Sequence, residues 1–502
     1  MARYKPVDRG GRLIAVMLDE QVQPGTFEFA LDHLVDHELD LSALDERFRN
    51  DATGATAYDP RVMLKIVLLG YSRGLISSRG IAQACERNVL FMAISGDARP
   101  SYTHIAKFVR ELGPTVQTLF AQVLLTCDRL GLIGRHLFAI DGVKLPGNAS
   151  KERSGTHAEL AHRADRLDKA AAKMLALHQS QDEHGALDDD AARQHRIDEL
   201  HREAQATRDF LARTPRRVNR KGQELKTNVT DPDSAKMATG KGVIQGYAAQ
   251  AAVDAQAQVI VAAEVTGSGS EQAMLIPMIE RTGMLRAPHT LITADAGYYS
   301  DDNIRTLCQR GIPALVADNA MRQRDERFAQ QQRHKDKTDV LYDKRAKPQP
   351  VARYRPQDFE FLDERTARCP AGVLLHGSGT RYQHNGGAQV LQYKARDEDC
   401  ARCDRRQRCL QNPDAGRGRQ VSRFGRALVD ENDPSERMRR AIDSPRGRRL
   451  YSRRIATVEP VFANIRHHKG MRRFTLRGQA KVSTQWQLYC LVHNIEKLGR
   501  HL

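Results

Sequence analysis

Between residues 58 and 125, apolar positions recur with helical spacing and are interrupted by short polar turns. Asp59 followed by Pro60 is typical of an N-cap and the first position of a helix. Ser77 or the serine after it, and then Ser101, are the next caps, and a longer helix is predicted from Pro114. The pattern predicts an all-helical N-terminal region. It is compatible with a helix-turn-helix and equally with a plain helical bundle.

The pattern changes to short apolar runs from residue 136 onward. HLFAIDGVK reads as a strand that ends in an acid, and VIQGYAAQAAVD with VIVAAEVTG as a strand hairpin. A helix follows, then a strand that ends at Asp295, another helix and the strand IPALVAD. This order of elements predicts a mixed sheet with helices on its faces, and therefore an α/β core.

A different segment interrupts this core between residues 151 and 213. It is rich in Ala, His, Arg and Glu, and Leu160, Leu167 and Met174 follow one another at heptad spacing, with a break at His184-Gly185. The pattern predicts an inserted helical hairpin. Its histidines show no ligand spacing, so we expect them on solvated faces.

A last amphipathic helix is predicted over ATVEPVFANIR, with Val458, Phe462 and Ile465 on its apolar face. Glu459 lies seven residues before Arg466, two turns away on one side of this helix. An acid surrounded by cations is solvated, neutralised by those cations, or free to hold a metal when the cations bind phosphates. The pattern alone leaves these alternatives open.

Charge narrows the class of partner. The 502 residues include 79 Lys and Arg against 62 Asp and Glu, a net charge of +17, and twelve arginines against five acids lie between Ala415 and Arg454. This excess favours a polyanionic partner, because each neutralised phosphate releases counterions. No apolar run approaches the roughly 20 residues that span a bilayer, and no signal-peptide core is present. We expect a cytoplasmic protein with reduced thiols and no membrane partner.

Four of the eight cysteines form a cluster. Cys400 and Cys403 have the C-x2-C spacing of a tetrahedral zinc site, and Cys369 and Cys409 would complete four thiolates. Because few apolar residues surround them, we expect a structural Zn²⁺ to supply stability that a core would not. The alternative is a reduced loop without metal.

Two acids end predicted strands, Asp141 and Asp295. If these strands are parallel neighbours, both carboxylates emerge at the same edge of the sheet. Glu459 would add a third acid, and three acids can hold two divalent ions, for which Mg²⁺ suits the all-oxygen ligands. Taken singly, such an Asp is more often a turn former or a helix cap.

Several runs resemble bacterial insertion-sequence transposases of the DDE type. FAIDGVKLPGNAS, TADAGYYSDDN and YSRRIATVEPVFANIRHHKGMRRFTLRG are similar to the three catalytic blocks, and SSRGIAQACERNVLFMAISG to the N-terminal helical domain. NVTDPDSAKMATGKGVIQGYAAQAAVD and the four cysteines resemble one branch of these enzymes. The resemblance implies a ribonuclease H-like core in which Asp141, Asp295 and Glu459 bind two Mg²⁺ or Mn²⁺ ions.

The resemblance also implies DNA-binding residues around the third acid. Tyr451, Arg454 and Arg466 correspond to a Tyr-Arg-Glu-Lys signature, although four residues rather than three separate Arg454 from Glu459. Arg466 replaces Lys and keeps the charge. Arg472 and Arg473 are expected to position phosphates without reading bases.

The sequence therefore predicts a DNA transposase that cleaves at element ends and transfers strands into target DNA. Its partners would be double-stranded DNA, namely terminal inverted repeats and target, with a homodimer pairing two ends. The rivals are an inactive or domesticated repressor that binds the ends, and a metal-dependent nuclease without strand transfer. The predicted domains are a helical DNA-end-binding domain at 1–135, a catalytic core at 136–149, 226–345 and 430–502, a helical insertion at 150–225 and a cysteine-rich insertion at 346–429.

Overall fold

The computed structural model describes residues 15–47, 56–113, 115–182, 190–219, 222–240, 242–325, 353–380, 382–383, 389–414, 416–424, 433–499 and 501. The chain divides into two compact units. One comprises Met1–Asn319 with Ser444–Leu502, and the other Ala320–Asp443.

The helices and strands are numbered in chain order. The described α-helices are α1 (Phe27–His33), α2 (Ser42–Asp45), α3 (Pro60–Ser72), α4 (Ser78–Arg87), α5 (Val89–Ser95), α6 (Tyr102–Leu112), α7 (Thr115–Arg129), α8 (His157–Asp182), α9 (Asp190–Arg213), α10 (Leu275–Arg281), α11 (Asp301–Gln309), α12 (Asp397–Ala401), α13 (Arg406–Cys409), α14 (Pro434–Asp443), α15 (Pro445–Ala463) and α16 (Gln479–Leu498). The described strands are β1 (Leu137–Pro146), β2 (Ser154–Gly155), β3 (Thr227–Asn228), β4 (Ala235–Thr239), β5 (Gly242–Asp254), β6 (Ile260–Thr266), β7 (Leu291–Ala294), β8 (Ala314–Val316), β9 (Glu360–Phe361), β10 (Thr366–Arg368), β11 (Leu374–His376), β12 (Tyr382–Gln383), β13 (Gln389–Lys394) and β14 (Gln420–Phe424).

The N-terminal helices begin where the sequence predicts them. The Asp59 carboxylate accepts a hydrogen bond from the Arg61 amide with Pro60 at the first helical position, and the Ser77 and Ser101 side chains cap α4 and α6. Helix α3 is buried on nearly all sides, because it packs against α5 and against the last helix, α16. The helical N-terminal region is therefore built onto the same core as the sheet.

Among the described residues, six strands form the main mixed sheet, in the order β4-β5-β1-β7-β8, with β6 also paired to β5. The predicted hairpin is present as antiparallel β5 and β6. Strand β1 pairs antiparallel to β5 on one side and parallel to β7 on the other. The fold is thus mixed α/β, and the strands of Asp141 and Asp295 are parallel neighbours, which is the condition under which both acids share an edge of the sheet. The prediction that the first strand ends at Asp141 is wrong: β1 continues to Pro146, because residues 142–146 stay paired with β5.

The predicted helical hairpin is present as α8 and α9. Ala171, Ile197 and Leu200 form its small core, with Leu167 and Met174 packed against it as the heptad spacing predicts. The break predicted at His184-Gly185 lies outside the described residues.

The last two helices cover the sheet of the first unit. Helix α15 begins at Pro445, well before the predicted start, and contacts β1, β5 and β7. A π-helical turn, Asn464–His468, follows it. Helix α16 is almost wholly buried, and the Trp486 indole N–H donates to the Gln250 carbonyl at 2.9 Å. None of the helices in the described residues is long and apolar enough to cross a membrane.

The second unit corrects the expectation that the cysteines lie in a segment with too few apolar residues for a core. Its described strands form an antiparallel sheet in the order β12-β13-β11-β10-β9, with β14 beside β13. A core packs against this sheet, made of Phe359, Ala367, Leu375, Leu391, Tyr393, Ala395 and Val421. Sequence reasoning missed it because the strands are two to six residues long and separated by charged turns.

Candidate active site

Two carboxylates lie side by side where β1 and β7 run parallel. Ile140 of β1 pairs with Ala294, the last residue of β7, so Asp141 within β1 lies beside Asp295, the first residue after β7. Asp295 also caps the 3-10 turn Ala296–Tyr298, since its carboxylate accepts from the Gly297 amide at 2.9 Å. Burial raises the pKa of Asp141, the Arg454 charge opposes that rise, and the charge of Asp295 adds to it. The two acids are therefore close enough to influence each other.

A guanidinium closes one side of this pair. Arg454 on α15 donates to the Asp141 carboxylate at 2.6 Å, and the two side chains are 12% and 22% exposed. The same guanidinium lies over the Tyr451 ring, 5.6 Å from its centre, and its buried Nε has no hydrogen-bond partner. The structure thus brings Tyr451 and Arg454 to the acid pair.

Glu459 projects from another side of the same helix. Val458 and Val461 on either side of it are fully buried, whereas Glu459 is exposed. The charges that act most on Asp141 are those of Arg454 and Asp295, and Glu459 is not among them. The membership of Glu459 in a metal-binding triad stays a prediction.

Sequence reasoning missed an acid that the fold brings to this site. Glu271, just before the 3-10 turn Gln272–Met274, has a side chain that is 14% exposed and lies 3.9 Å from the Lys144 ammonium. Burial raises the pKa of Glu271; the Lys144 charge lowers it, and the charges of Asp295 and Asp141 raise it further. In sequence it is an ordinary acid ahead of a helix, so no local signal distinguishes it.

The predicted DNA-binding arginines beyond α15 are exposed: Arg466 in the π-helical turn, and Arg472 and Arg473 after it. Arg473 donates to the Asn148 side chain at 3.2 Å, and with Arg477 it lines an open cavity of about 620 Å³. Arg153 and Arg163 line the same cavity and both pair with Glu203, which lines it together with Glu152. This polar concavity lies beyond the end of β1, the strand that carries Asp141.

The four clustered cysteines meet in the second unit. Cys369, Cys400, Cys403 and Cys409 all line one small cavity of about 20 Å³. Burial raises the pKa of Cys409, Arg419 opposes this, and the other three thiols add to the rise. The Arg419 amide donates to the Cys400 sulfur at 3.3 Å.

Neither cluster is arranged as a ready-made metal centre. Within the described residues, no group of three or more His, Cys, Asp or Glu side chains is placed so that it could hold a metal ion. In the acid cluster, Arg454 already engages Asp141. Metal binding there would require this guanidinium to share or release the carboxylate.

Comparison with protein families gives two matches. The model of a transposase DDE domain matches residues 368–499, a span that contains the cysteine cluster, Arg454 and Glu459. The model described as transposase domain (DUF772) matches residues 16–111, which include helices α1 to α5 and all of α6 except Leu112. Among curated proteins, none matches the chain.

Proposed function

We propose that this chain, which the two family matches identify as an insertion-sequence transposase of the DDE type, cleaves DNA at the ends of its element and joins those ends to target DNA. The membership itself indicates a transposase function and implies DNA binding. The observation that carries the finer proposal is the pairing of Asp141 and Asp295 on parallel neighbouring strands, beside buried Arg454.

In this proposal Asp141, Asp295 and Glu459 hold two divalent ions, Mg²⁺ or Mn²⁺, in a ribonuclease H-like core. Ions held there would supply the activation of a water or 3′-hydroxyl and the stabilisation of the leaving oxygen. The paired carboxylates fit this role because their oxygens are the ligands that Mg²⁺ prefers. Arg454 holds the Asp141 carboxylate in place and partly neutralises its charge until a metal ion replaces the guanidinium.

The arginines would bind the DNA backbone. Arg466, Arg472 and Arg473 are exposed, and guanidinium groups suit the oxygens of phosphates. Tyr451 and Arg454 border the acids and would orient the phosphate that reacts. The helical domain at 1–135 would bind the DNA ends. We expect a homodimer that pairs two ends and acts on the nucleoid in the cytoplasm.

For the second unit, the proposal is that a structural Zn²⁺ is bound by Cys369, Cys400, Cys403 and Cys409. Support comes from the C-x2-C spacing and from the four thiols that line one cavity. Binding would require the sulfur atoms to close around the ion. Cys400→Ser should lower the zinc content of purified protein, measured by elemental analysis. Cys308→Ser, at an exposed cysteine of the first unit, should leave that content unchanged.

The test of the main proposal uses the DNA that flanks the gene. Purified protein is incubated with both flanks, with and without Mg²⁺ or Mn²⁺, and cleaved ends and joined products are measured. Asp141→Ala and Glu459→Ala should each abolish both products, whereas Asp302→Ala, at an acid that is 82% exposed, should not.

Other outcomes would favour the repressor or the nuclease, or would reject particular acids of the site. End binding without metal-dependent cutting would indicate a repressor, and cutting without joined products a nuclease. Cutting that survives Asp141→Ala would reject the acid site. Cutting that survives only Glu459→Ala would remove Glu459 from it.

A further inference from the structure

We propose that Glu271 is a further acid of the active site and shares a divalent cation with Asp295. This inference rests on the proposed function, because it adds a ligand to the metal site assigned there. It concerns a residue of the first unit that precedes α10 and lies outside both family matches.

Gly297 reveals how closely the two carboxylates approach. A Cβ atom built at Gly297 would lie 2.4 Å from Glu271 Oε2 and 3.0 Å from Asp295 Oδ1. Both oxygens therefore border the space that the missing side chain of Gly297 leaves open. Real Cβ atoms do not come within 3.0 Å of a neighbouring oxygen, so the approach of Glu271 to Asp295 depends on glycine at this position.

Hydrogen bonds hold the Glu271 segment against the turn that follows Asp295. The Gln272 side chain donates to the Tyr299 carbonyl at 2.8 Å. The Asn303 amide donates to the carbonyls of both Gln272 and Tyr298, at 2.8 and 2.9 Å. These bonds join the backbone just after Glu271 to the turn after Asp295, so they hold the two acids near each other.

An unpaired amide near the turn that carries Gly297 points independently to a ligand. Gln250 is fully buried, and its Nε2 has no hydrogen-bond partner. Its Oε1 accepts from the hydroxyl of Tyr298, the residue after Gly297, and a Cβ at Gly142 would lie 2.7 Å from Nε2. Gln250 therefore shares a face of the sheet with Gly142 and with Lys144, the cation near Glu271, and not with Asp141. A buried donor without an acceptor is unfavourable unless a water or ligand oxygen completes it. A water in the shell of a hydrated cation, or a phosphate oxygen, would supply that acceptor.

A purely structural role for Glu271 would be to pair with Lys144. The separation of 3.9 Å from the Lys144 ammonium is long for an ion pair, and the side chain of Lys144 is 29% exposed. Because ammonium and metal ion would compete for the same carboxylate, the two roles make opposite predictions for Lys144→Met. The ligand role predicts that cation binding is retained or tightened.

The test measures binding of Mn²⁺ to the intact protein without DNA, by electron paramagnetic resonance of the free ion. Glu271→Gln should weaken binding at least about tenfold, because even outer-shell partners of a metal contribute on the order of 10–100-fold. Gly297→Ala should weaken it similarly by displacing the Glu271 carboxylate. Glu280→Gln is the matched control, since this acid of α10 pairs with Arg310 and should bind Mn²⁺ as the unmodified protein does.

The outcomes separate this inference from the proposed function. If Asp141→Asn weakens binding while Glu271→Gln and Gly297→Ala do not, the inference is wrong and the metal site stands. If neither Asp141→Asn nor Glu271→Gln changes binding, or the unmodified protein binds no Mn²⁺, the proposed metal site is wrong as well. Weakening by Lys144→Met equal to that of Glu271→Gln would reject the ligand role in favour of the ion pair.

Discussion

The two parallel strands and the helix that form the candidate site differ in how they present their charged groups. On β1 and β7 the parallel register sets Asp141 and Asp295 side by side. On α15 the packed face carries Val458, Val461 and the mostly buried Arg454, and Glu459 is exposed. In a strand, position in the register dictates the neighbour, whereas on a helix the rotation against the sheet decides which residue faces inward.

The difference predicts that the strand acids and the helix residues respond differently to substitution. Asp295→Asn should reduce cleavage of element ends by about a thousandfold or more, equivalent to about 4 kcal/mol in the barrier. The reason is that the amide keeps the shape of the side chain but loses the charge that holds a cation. Single-turnover cleavage measures this. Asp302→Asn, at an exposed acid in α11, is the control. More than a tenth of the original rate in Asp295→Asn would contradict the assignment.

The rotation of α15 against the sheet depends on its packing against α16, and substitution of Trp486 tests this packing. The ring of Trp486 stacks on Phe462 of α15, and its N–H reaches the carbonyl of Gln250. Trp486→Ala should lower the free energy of unfolding by about 3–5 kcal/mol, as for other buried aromatic truncations. Trp486→Phe keeps most of the ring and should lose less, about 1 kcal/mol for the hydrogen bond. Urea denaturation measures both. Equal losses would show that the hydrogen bond rather than the packing dominates.

Arg454 and Glu459 allow a comparison within one helix. Arg454→Ala should destabilise the protein by about 3 kcal/mol, because it leaves the partly buried Asp141 carboxylate without its cation. Glu459→Ala, at an exposed position, should change stability by less than about 0.5 kcal/mol. Both are measured by the shift of the urea midpoint. If Glu459→Ala is as destabilising as Arg454→Ala, the exposed placement of Glu459 is wrong.

The smallest expected effect is on the pH dependence of stability, and it comes from His493 of α16, which contacts Asn464 just after α15. His493 on α16 contacts the Asn464 amide and the Gln258 carbonyl, and burial lowers its pKa to about 3. Lys469 and Lys497 disfavour its charge further, and Glu496 opposes them. A depressed histidine pKa contributes stability above the unfolded value of about 6.5, which is lost as pH falls towards 3.

The measurement compares unfolding free energies at pH 7.5 and 5.5. Uptake of one proton on unfolding corresponds to about 1.4 kcal/mol per pH unit below 6.5. In His493→Gln the loss between these two pH values should therefore be about 1.4 kcal/mol smaller. An unchanged pH dependence would mean that His493 is not buried in its neutral form.

Much of the fold follows from local pattern. The caps at Asp59, Ser77 and Ser101, the hairpin of β5 and β6, and the α8–α9 insertion all lie where residue spacing predicts them. These features depend on interactions within a few residues, or on a strand and its immediate successor. The small sheet of the cysteine unit escaped prediction because its strands are too short to show a period.

The residues of the candidate site likewise fall into those that local sequence identifies and those that only tertiary packing places. The apolar runs before Asp141 and Asp295 are local features, so sequence alone picks out both acids. Asp295 does follow the end of β7, whereas β1 continues past Asp141 to Pro146 because it stays paired with β5. The inward turn of Arg454, the exposure of Glu459 and the arrival of Glu271 beside Asp295 come from tertiary packing. The physical reason is that a helix can rotate without changing its sequence pattern, and only contacts with the sheet select one rotation.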